Sequence, residues 1–320
     1  MKSEQRRTCH LDASMIEAIY ICRHGYRANW DDPSITTSVT GTYQDPPLAK
    51  RGLEQAQHLA LHLTSDRRTP DLLFSSPFYR CLQTIEPLAG LTGLPVHVEA
   101  GIGEWYTPVR EGTGLLPRPG SAHILQQHLP DITLDAKWTS LHFPDRKGET
   151  VEELRVRCDG FVETFIPLVE ATYPDAKVVL LMCHAATVIG IGRAVSEGSK
   201  PDADTQLVGD CARDIRSPTV SLSEYRRRGG KTVRTASWQQ SDPYSRSEGP
   251  KVGRVIGQWE HVVNADTSFL PNGAEVNWNF GHVLYEADGS LVKQTGDGRT
   301  WTEDDIYPVG PTHPTVGTIK

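Results

Sequence analysis

Two short apolar runs, each followed within two residues by a histidine, constrain the fold more than any other feature of the chain. Residues 18–22 (AIYIC) lead into Arg23 and His24, and residues 178–183 (VVLLMC) lead into His184. Short continuous apolar runs are typical of strands that are buried on both faces of a parallel sheet. Because the carboxyl ends of such strands open onto one crevice, we expect the two histidines to meet there.

Helical patterns alternate with the apolar runs along most of the chain, which favours an α/β fold: a three-layer sandwich with a mainly parallel sheet. Pro77 suits the first turn of a helix that carries Arg80. Thr150 and Glu153 have the spacing of a capping box, and we expect Pro167 to kink or split the helix that follows. The predicted elements are strands over 18–22, 71–74, 94–98, 178–182 and 220–225, and helices over 53–63, after 77, after 150 and over 186–195.

Composition predicts two structured units. The first unit spans residues 16–228, which is large enough for an enzyme domain, and it includes an irregular insertion over 107–148. A basic polar linker follows over 229–250, and 251–310 alternates as a small antiparallel β unit. Such a short unit is near the size limit for a core of its own, so we expect it to dock on the first domain or on a partner. Its predicted core residues are Trp259, Trp278 and Phe280.

Charge and cysteine content exclude several classes. With 33 Lys+Arg against 40 Asp+Glu the net charge is −7, which argues against binding DNA, RNA or anionic lipid through bulk charge. The six cysteines include no CxxC pair, so buried free thiols are expected rather than a zinc or redox motif. The polar N-terminus and the short apolar runs predict an intracellular protein, in the nucleus or cytoplasm, without direct membrane binding.

The chemistry of the strand ends points to a phosphoryl group. Arginine offers a planar fork of donors that matches phosphate oxygens. Arg23 directly precedes His24, and Arg80 lies in the first turn after the second strand. A histidine that is kept neutral by a bond at one ring nitrogen can attack phosphorus with the other.

Four motifs, in order and spacing, resemble the histidine phosphatase (phosphoglycerate mutase-like) superfamily over residues 16–225. They are YICRHGYR, LFSSPFYRCLQT, GIGEW and VVLLMCHAATVIGIGRAV. The resemblance implies that His24 is the nucleophile and that Glu104 protonates the leaving oxygen. It also implies that His184, Arg23 and Arg80 bind the phosphoryl group, with Arg27 as an additional phosphate ligand in some branches. Neither a metal nor a cofactor is implied.

Departures from the family pattern narrow the range of activities that we expect. Ala185 and Ala186 follow the second histidine where the other branch carries a catalytic Asp, so the acid role falls on Glu104. Because Trp105 is its neighbour, we expect the Glu104 carboxyl to be partly buried and its pKa to be raised. The loop over 106–121 lacks the basic residues with which mutases grip a second phosphate, which favours a phosphatase. A solvated loop carboxylate for Glu104, and a surface ion pair for Arg27, stay open as alternatives.

The C-terminal half narrows the resemblance further. HAATVIGIGRAV, a polar spacer and QWEHVVNADTSFLPNGAEVNWNF resemble fungal phosphoglycerate mutase-like proteins and the histidine-phosphatase subunit of RNA polymerase III transcription factor IIIC. This resemblance implies a phosphomonoesterase with a phosphorylated small molecule or a phosphoprotein as substrate. It also implies a different role, as an assembly subunit whose β unit pairs with another subunit and which reaches DNA only indirectly.

Overall fold

The computed structural model describes residues 15–65, 69–109, 112, 114–196, 215–229 and 255–280, and the backbone alone of three short strands beyond them. No helix within these ranges combines the length and the apolar composition that crossing a membrane requires. The elements are β1 (Ala18–Arg23), α1 (Lys50–Thr64), β2 (Leu72–Ser75), α2 (Tyr79–Thr92), β3 (Val96–Val98), α3 (Ala122–Leu125), α4 (Val151–Thr172), β4 (Val178–Cys183), α5 (Ala185–Ser196), β5 (Leu222–Arg227), β6 (Trp259–Asp266), β7 (Val283–Tyr285), β8 (Leu291–Gly296) and β9 (Arg299–Thr300).

Six strands form one twisted sheet in the order β3-β2-β4-β1-β5-β6. The four strands from β3 to β1 pair in parallel, whereas β5 pairs antiparallel with β1 and β6 antiparallel with β5. The strands β7, β8 and β9 form a separate antiparallel sheet. This is the mainly parallel sheet with C-terminal antiparallel strands that the sequence predicts.

Successive residues of β1 face two different apolar cores, which makes the fold three-layered. Ile19 and Ile21 are buried in the core that α4 and α5 cover. Tyr20 and Cys22 are buried in the core that α1 and α2 cover on the other face. A strand with period-2 side chains and apolar residues at every position therefore requires helices on both faces, and the α/β fold class is confirmed.

The capping box at the start of α4 is confirmed, and Pro167 does not split the helix. The Thr150 hydroxyl accepts a hydrogen bond from the Glu153 amide, and the Glu153 carboxylate accepts one from the Thr150 amide. The helix continues beyond Pro167 to Thr172. Phe165 and Val169, on either side of the proline, are buried in the same core. Burial of both flanks outweighs the one backbone hydrogen bond that proline removes.

The three aromatic residues predicted as the core of the C-terminal unit lie instead in the core of the main domain. The strand Trp259–Asp266 extends the main sheet at its edge, and Trp259, Trp278 and Phe280 belong to the core beneath α4 and α5. Residues 275–280, expected as a strand, have no regular structure. The expectation that the unit docks is met within the chain for 255–280. The linker predicted over 229–250 lies almost wholly outside the described residues and stays a prediction.

The cysteines of the described residues are buried free thiols, as expected: Cys22, Cys81, Cys158 and Cys183. Cys9 and Cys211 lie outside the described residues. Burial raises the pKa of the Cys22 and Cys81 thiols well above the ordinary value. A thiol that stays protonated is a poor nucleophile, so these side chains serve as small apolar groups in the core.

Candidate active site

The two histidines meet at the carboxyl edge of the sheet because β1 and β4 are neighbours. Arg23 pairs in register with Cys183, and the His24 amide donates to the Cys183 carbonyl at 3.0 Å. The centroids of the His24 and His184 rings are 5.4 Å apart. Residues that are 160 positions apart in the sequence thus share one site, as the strand pattern predicts.

His24 is a neutral, oriented imidazole. Its side chain is buried, and its Nδ1 lies 2.8 Å from the Gly25 carbonyl oxygen. A carbonyl only accepts, so Nδ1 carries the proton and Nε2 keeps its lone pair. Burial lowers the pKa of His24 well below its ordinary value, and the charges of Arg80 and Arg23 lower it further. The geometry therefore prepares Nε2 to act as a nucleophile.

His184 is fully buried and lies between a hydroxyl and a carboxylate. Ser76 Oγ is 2.8 Å from its Nε2, and Glu104 Oε2 is 3.3 Å from its Nδ1. Burial lowers the pKa of His184 to about 4 against the opposing effect of Glu104. The ring is thus uncharged at neutral pH, and it separates Ser76 from the carboxylate.

Arg80 lies in the first turn of α2, directly after β2, and binds two carboxylates of the site. Its Nη1 donates to Asp45 Oδ1 at 2.8 Å and its Nη2 to Glu104 Oε2 at 2.9 Å. The Arg80 and Asp45 side chains are both fully buried. Burial opposes the charge of Arg80, but the carboxylates of Asp45 and Glu104 raise its pKa overall. Its buried Nε–H has no hydrogen-bond partner among the described residues.

Arg23 and Arg27 lie on the other side of the histidines, against Trp30. The guanidinium carbons of Arg23 and Arg27 are 5.6 and 4.5 Å from the Trp30 ring centroid, and that ring is 6.2 Å from the His24 ring. Burial, together with the charge of the neighbouring Arg27, lowers the pKa of Arg23 to about 9. Arg27 therefore lies close enough to the site for its charge to act there.

Glu104 lies within the site, but its ionisation differs from the sequence expectation. Its Oε1 accepts from the Trp105 amide at 3.1 Å, and 17% of its side chain is exposed. Burial alone would raise the pKa of Glu104, but His184 and Arg80 hold it well below its ordinary value. The expected raised pKa is wrong for the unliganded site, because the sequence neighbour Trp105 matters less than the Arg80 charge and the hydrogen bond with His184.

The loop that carries Glu104 is fixed by three residues that sequence reasoning missed. The Thr187 hydroxyl donates to the Gly103 carbonyl at 2.8 Å. Arg157 donates to the Gly101 carbonyl at 2.7 Å and forms a buried ion pair with Glu149. Because the backbone just before Glu104 is held at two points, its carboxylate is positioned before any ligand arrives.

Two further contacts were also missed. Asp45, in a loop that the sequence describes only as polar, accepts from Arg80 and from the Tyr79 amide at 2.7 Å. Ser76 is recognisable as part of the SSP turn, although nothing local ties it to His184. Both contacts join segments far apart in sequence, and one sequence contains no signal for them.

The charges of the site favour an anion with several acceptor oxygens. Three arginines (Arg23, Arg27 and Arg80) stand against two carboxylates, Asp45 and Glu104, and the histidines are neutral. The buried Nε–H groups of Arg23 and Arg80 lack partners in the described part of the chain. A buried donor without a partner costs free energy that an acceptor oxygen would recover. Ligand atoms of His24, Glu104 and His184 also lie within 4.8 Å of one another, a spacing that suits a cation, but the arginine charges oppose one.

The chain belongs to the histidine phosphatase superfamily (branch 1), whose model matches residues 19–207. A relative from Saccharomyces cerevisiae (strain ATCC 204508 / S288c), the transcription factor tau 55 kDa subunit, is 36% identical over 298 residues. The match covers 92% of this chain and 65% of that protein, so the chain spans about two thirds of the relative's length.

Two solved structures resemble the fold. The ecdysone phosphate phosphatase of Bombix mori, in complex with tungstate, has a TM-score of 0.50 and 17% identity over 70% of this chain and 98% of that chain. The mycobacterial glucosyl-3-phosphoglycerate phosphatase complexed with VO3 has a TM-score of 0.43 and 19% identity over 67% and 92%. At 17% identity the likeness to the Bombix mori phosphatase concerns the fold alone.

Proposed function

We propose that the protein hydrolyses phosphomonoesters through a phosphohistidine formed on His24, without a metal. The observation that carries the proposal is the hydrogen bond from His24 Nδ1 to the Gly25 carbonyl, which leaves Nε2 as the nucleophile. Three arginines beside that nitrogen supply the donors that a transferring phosphoryl group needs.

In the first step, Nε2 attacks phosphorus and forms the P–N bond while the ester P–O bond breaks. The electron pair of that bond goes to the leaving oxygen, which takes a proton from Glu104. Because Arg80 and His184 lower the pKa of Glu104 in the unliganded site, the carboxylate takes up this proton from solvent when the substrate binds. A phosphate dianion bound against the arginines offsets their field and thereby raises the pKa of the carboxyl.

In the second step, Glu104 is a carboxylate again and accepts a proton from water. The water oxygen attacks phosphorus, the P–N bond breaks, and its electron pair returns to His24 Nε2. Inorganic phosphate then leaves. Arg23, Arg80 and His184 bind the phosphoryl oxygens throughout, and Arg27 adds its charge nearby. Fixed donors of this kind stabilise charge without reorganising during the reaction.

Loss of the nucleophile tests this reaction. His24→Ala should abolish turnover of an aryl phosphate, measured as phosphate release from the purified full chain. The matched control is His123→Ala, because His123 is an exposed histidine outside the site. Wild-type turnover by His24→Ala would rule the mechanism out, and a loss with both variants would indicate a general defect rather than chemistry.

The site recognises the phosphoryl group of the substrate rather than the rest of the molecule. The phosphoryl group is the common element, so a phosphorylated small molecule or a phosphoprotein both fit. We expect residues 29–47 and 107–148 to determine specificity, because loops beside a rigid scaffold usually do so. A phosphate-release screen across both classes identifies the substrate, and substitutions in these loops should change the preferred ester while leaving the aryl phosphate reaction intact.

A second function, as an assembly subunit, has its own support. The likeness to the transcription factor tau 55 kDa subunit covers 92% of the chain, well beyond the residues that the phosphatase family model matches. We infer membership of a nuclear complex of the transcription factor IIIC type, with another subunit contacted through the C-terminal β unit and DNA reached only through partners. A pull-down from nuclear extract with tagged full chain tests it, and His24→Ala should retain the partners. Capture of the same proteins by an unrelated tagged phosphatase would contradict it.

A further inference from the structure

Two main-chain carbonyls hold one end of the Arg23 guanidinium. Arg23 Nη1 donates to the Ser217 carbonyl at 2.7 Å and to the Val276 carbonyl at 2.6 Å. Both carbonyls lie far along the chain, and Arg23 is nearly fully buried. A guanidinium nitrogen of this type has two hydrogens, so these two bonds use both of them.

The two segments that supply the carbonyls are bonded to each other. The Ser217 amide donates to Asn277 Oδ1 at 3.0 Å, and the Ser217 hydroxyl donates to the Trp278 carbonyl at 2.8 Å. The Thr219 amide donates to the Glu275 carbonyl at 3.0 Å. We call residues 217–219 and 275–278 together the arginine clamp.

Backbone strain lies beside the same contacts. Val276 has φ of +48° and Val220 has φ of +52°, in the left-handed region that β-branched residues rarely adopt. The Val276 carbonyl accepts from Arg23, and the Val220 amide donates to the His24 carbonyl at 3.4 Å. Strain of this kind persists where surrounding contacts fix the backbone, and it concentrates at functional sites.

The clamp determines which edge of the guanidinium can bind a ligand. With Nη1 committed to the carbonyls, the edge formed by Nε and Nη2 is the one that can offer two parallel N–H donors. Arg23 Nε is buried and has no hydrogen-bond partner among the described residues. Two parallel donors from one guanidinium are the arrangement that matches two oxygens of a phosphoryl group.

The same segment also supports the neighbour of Glu104. The Trp278 and Phe280 rings lie 6.1 and 5.5 Å from the Trp105 ring, centroid to centroid, and Trp105 donates its amide to Glu104. Residues 275–280 therefore contact both sides of the site. They lie outside residues 19–207, to which the family model corresponds.

We propose that Ser217 and Val276 are positioning residues, whose carbonyls turn the Nε–Nη2 edge of Arg23 toward the phosphoryl group, so that the arginine clamp is a working part of the site. The proposal rests on the proposed function in that the ligand is taken to be a phosphoryl group. It makes the segment after residue 274 a requirement for phosphate binding, beyond its contribution to the core.

Asn277 allows a test because it holds the clamp closed through its side chain. Asn277→Ala should weaken binding of inorganic phosphate to the full chain about tenfold, the scale of one misplaced hydrogen bond to a charged group, and raise KM for an aryl phosphate more than it lowers kcat. Asn277→Ser supplies a neutral hydroxyl acceptor in place of the amide oxygen and should bind phosphate more tightly than Asn277→Ala.

The matched control is Asn264→Ala, because Asn264 Oδ1 accepts from the Arg216 amide at 3.1 Å, one residue before the clamp. It should leave the phosphate Kd unchanged. Calorimetric titration with inorganic phosphate measures Kd without turnover. Asn277→Ala binding phosphate like the wild type would overturn the clamp. A wild type that binds phosphate but hydrolyses no ester would overturn the proposed function alone, and the clamp would still be judged by Kd.

Discussion

The Asp45–Arg80 ion pair should contribute substantially to the stability of the site, and Asp45→Asn measures it. Both side chains are fully buried, and the carboxylate accepts from Arg80 Nη1 at 2.8 Å and from the Tyr79 amide at 2.7 Å. Removing one partner of a buried pair costs about 3–5 kcal/mol when the other charge is left alone. Asn keeps one acceptor oxygen, and Arg80 keeps Glu104 at 2.9 Å. We therefore expect a loss of about 2–3 kcal/mol of unfolding free energy.

Urea unfolding, followed by tryptophan fluorescence, measures the loss. The matched control is Asp31→Asn, since the Asp31–Arg51 pair at 3.2 Å is exposed, with 59% and 44% of the two side chains accessible. Exposed pairs contribute at most about 1 kcal/mol. Asp45→Asn also leaves three arginines against one carboxylate, so millimolar phosphate should recover more stability in it than in the wild type. Equal losses in the two variants, or no protection by phosphate, would refute the reasoning.

Three further outcomes are expected. Glu104→Gln should lower kcat/KM, which reports the phosphoryl-transfer step, about 10²–10⁴-fold for alkyl phosphates and much less for p-nitrophenyl phosphate, whose leaving oxygen needs no proton; equal losses in kcat/KM would contradict an acid role. Thr187→Val should lower the unfolding free energy by about 1 kcal/mol, in urea titrations, because the Gly103 carbonyl loses its donor, and an unchanged midpoint would contradict this contact. After correction for ionisation of the substrate, kcat/KM should decrease on the acidic side with a midpoint near pH 4. Burial lowers the pKa of His184 to about 4 and that of His24 well below its ordinary 6.5. As the pH falls from 6.5 to 4, the unfolded chain takes up protons before the folded chain does, so the free energy of unfolding decreases over the same range. A midpoint of the kcat/KM profile near pH 6.5 would contradict neutral buried histidines.

The strand pattern was enough to predict the sheet and the meeting of the histidines. Both predictions depend on the apolar runs that precede His24 and His184. A run that is buried on both faces indicates a strand with parallel neighbours, and the carboxyl ends of parallel strands lie at the same edge of the sheet. The capping box at Thr150 is equally local, because it spans a single helical turn.

What the sequence could not predict depends on contacts between distant segments. The pKa of Glu104 is lowered by His184 and Arg80, whose distances from it follow only from the folded sheet. The carbonyl of Val276 reaches Arg23 through the main chain, so the identity of the side chain carries no signal for that bond. Trp278 was expected in a separate core, because the alternation of polar and apolar residues indicates burial without indicating the partner.

The phosphohistidine on His24 is the central claim, and one measurement tests it most directly. In Glu104→Gln with p-nitrophenyl phosphate, phosphoryl transfer proceeds without the acid while the attack of water lacks its base, so the intermediate should accumulate. Rapid quenching into alkali, which preserves phosphohistidine, followed by mass spectrometry should find about one phosphoryl group per chain, on His24. Absence of the modification while nitrophenol is released, or its presence on another residue, would contradict the account.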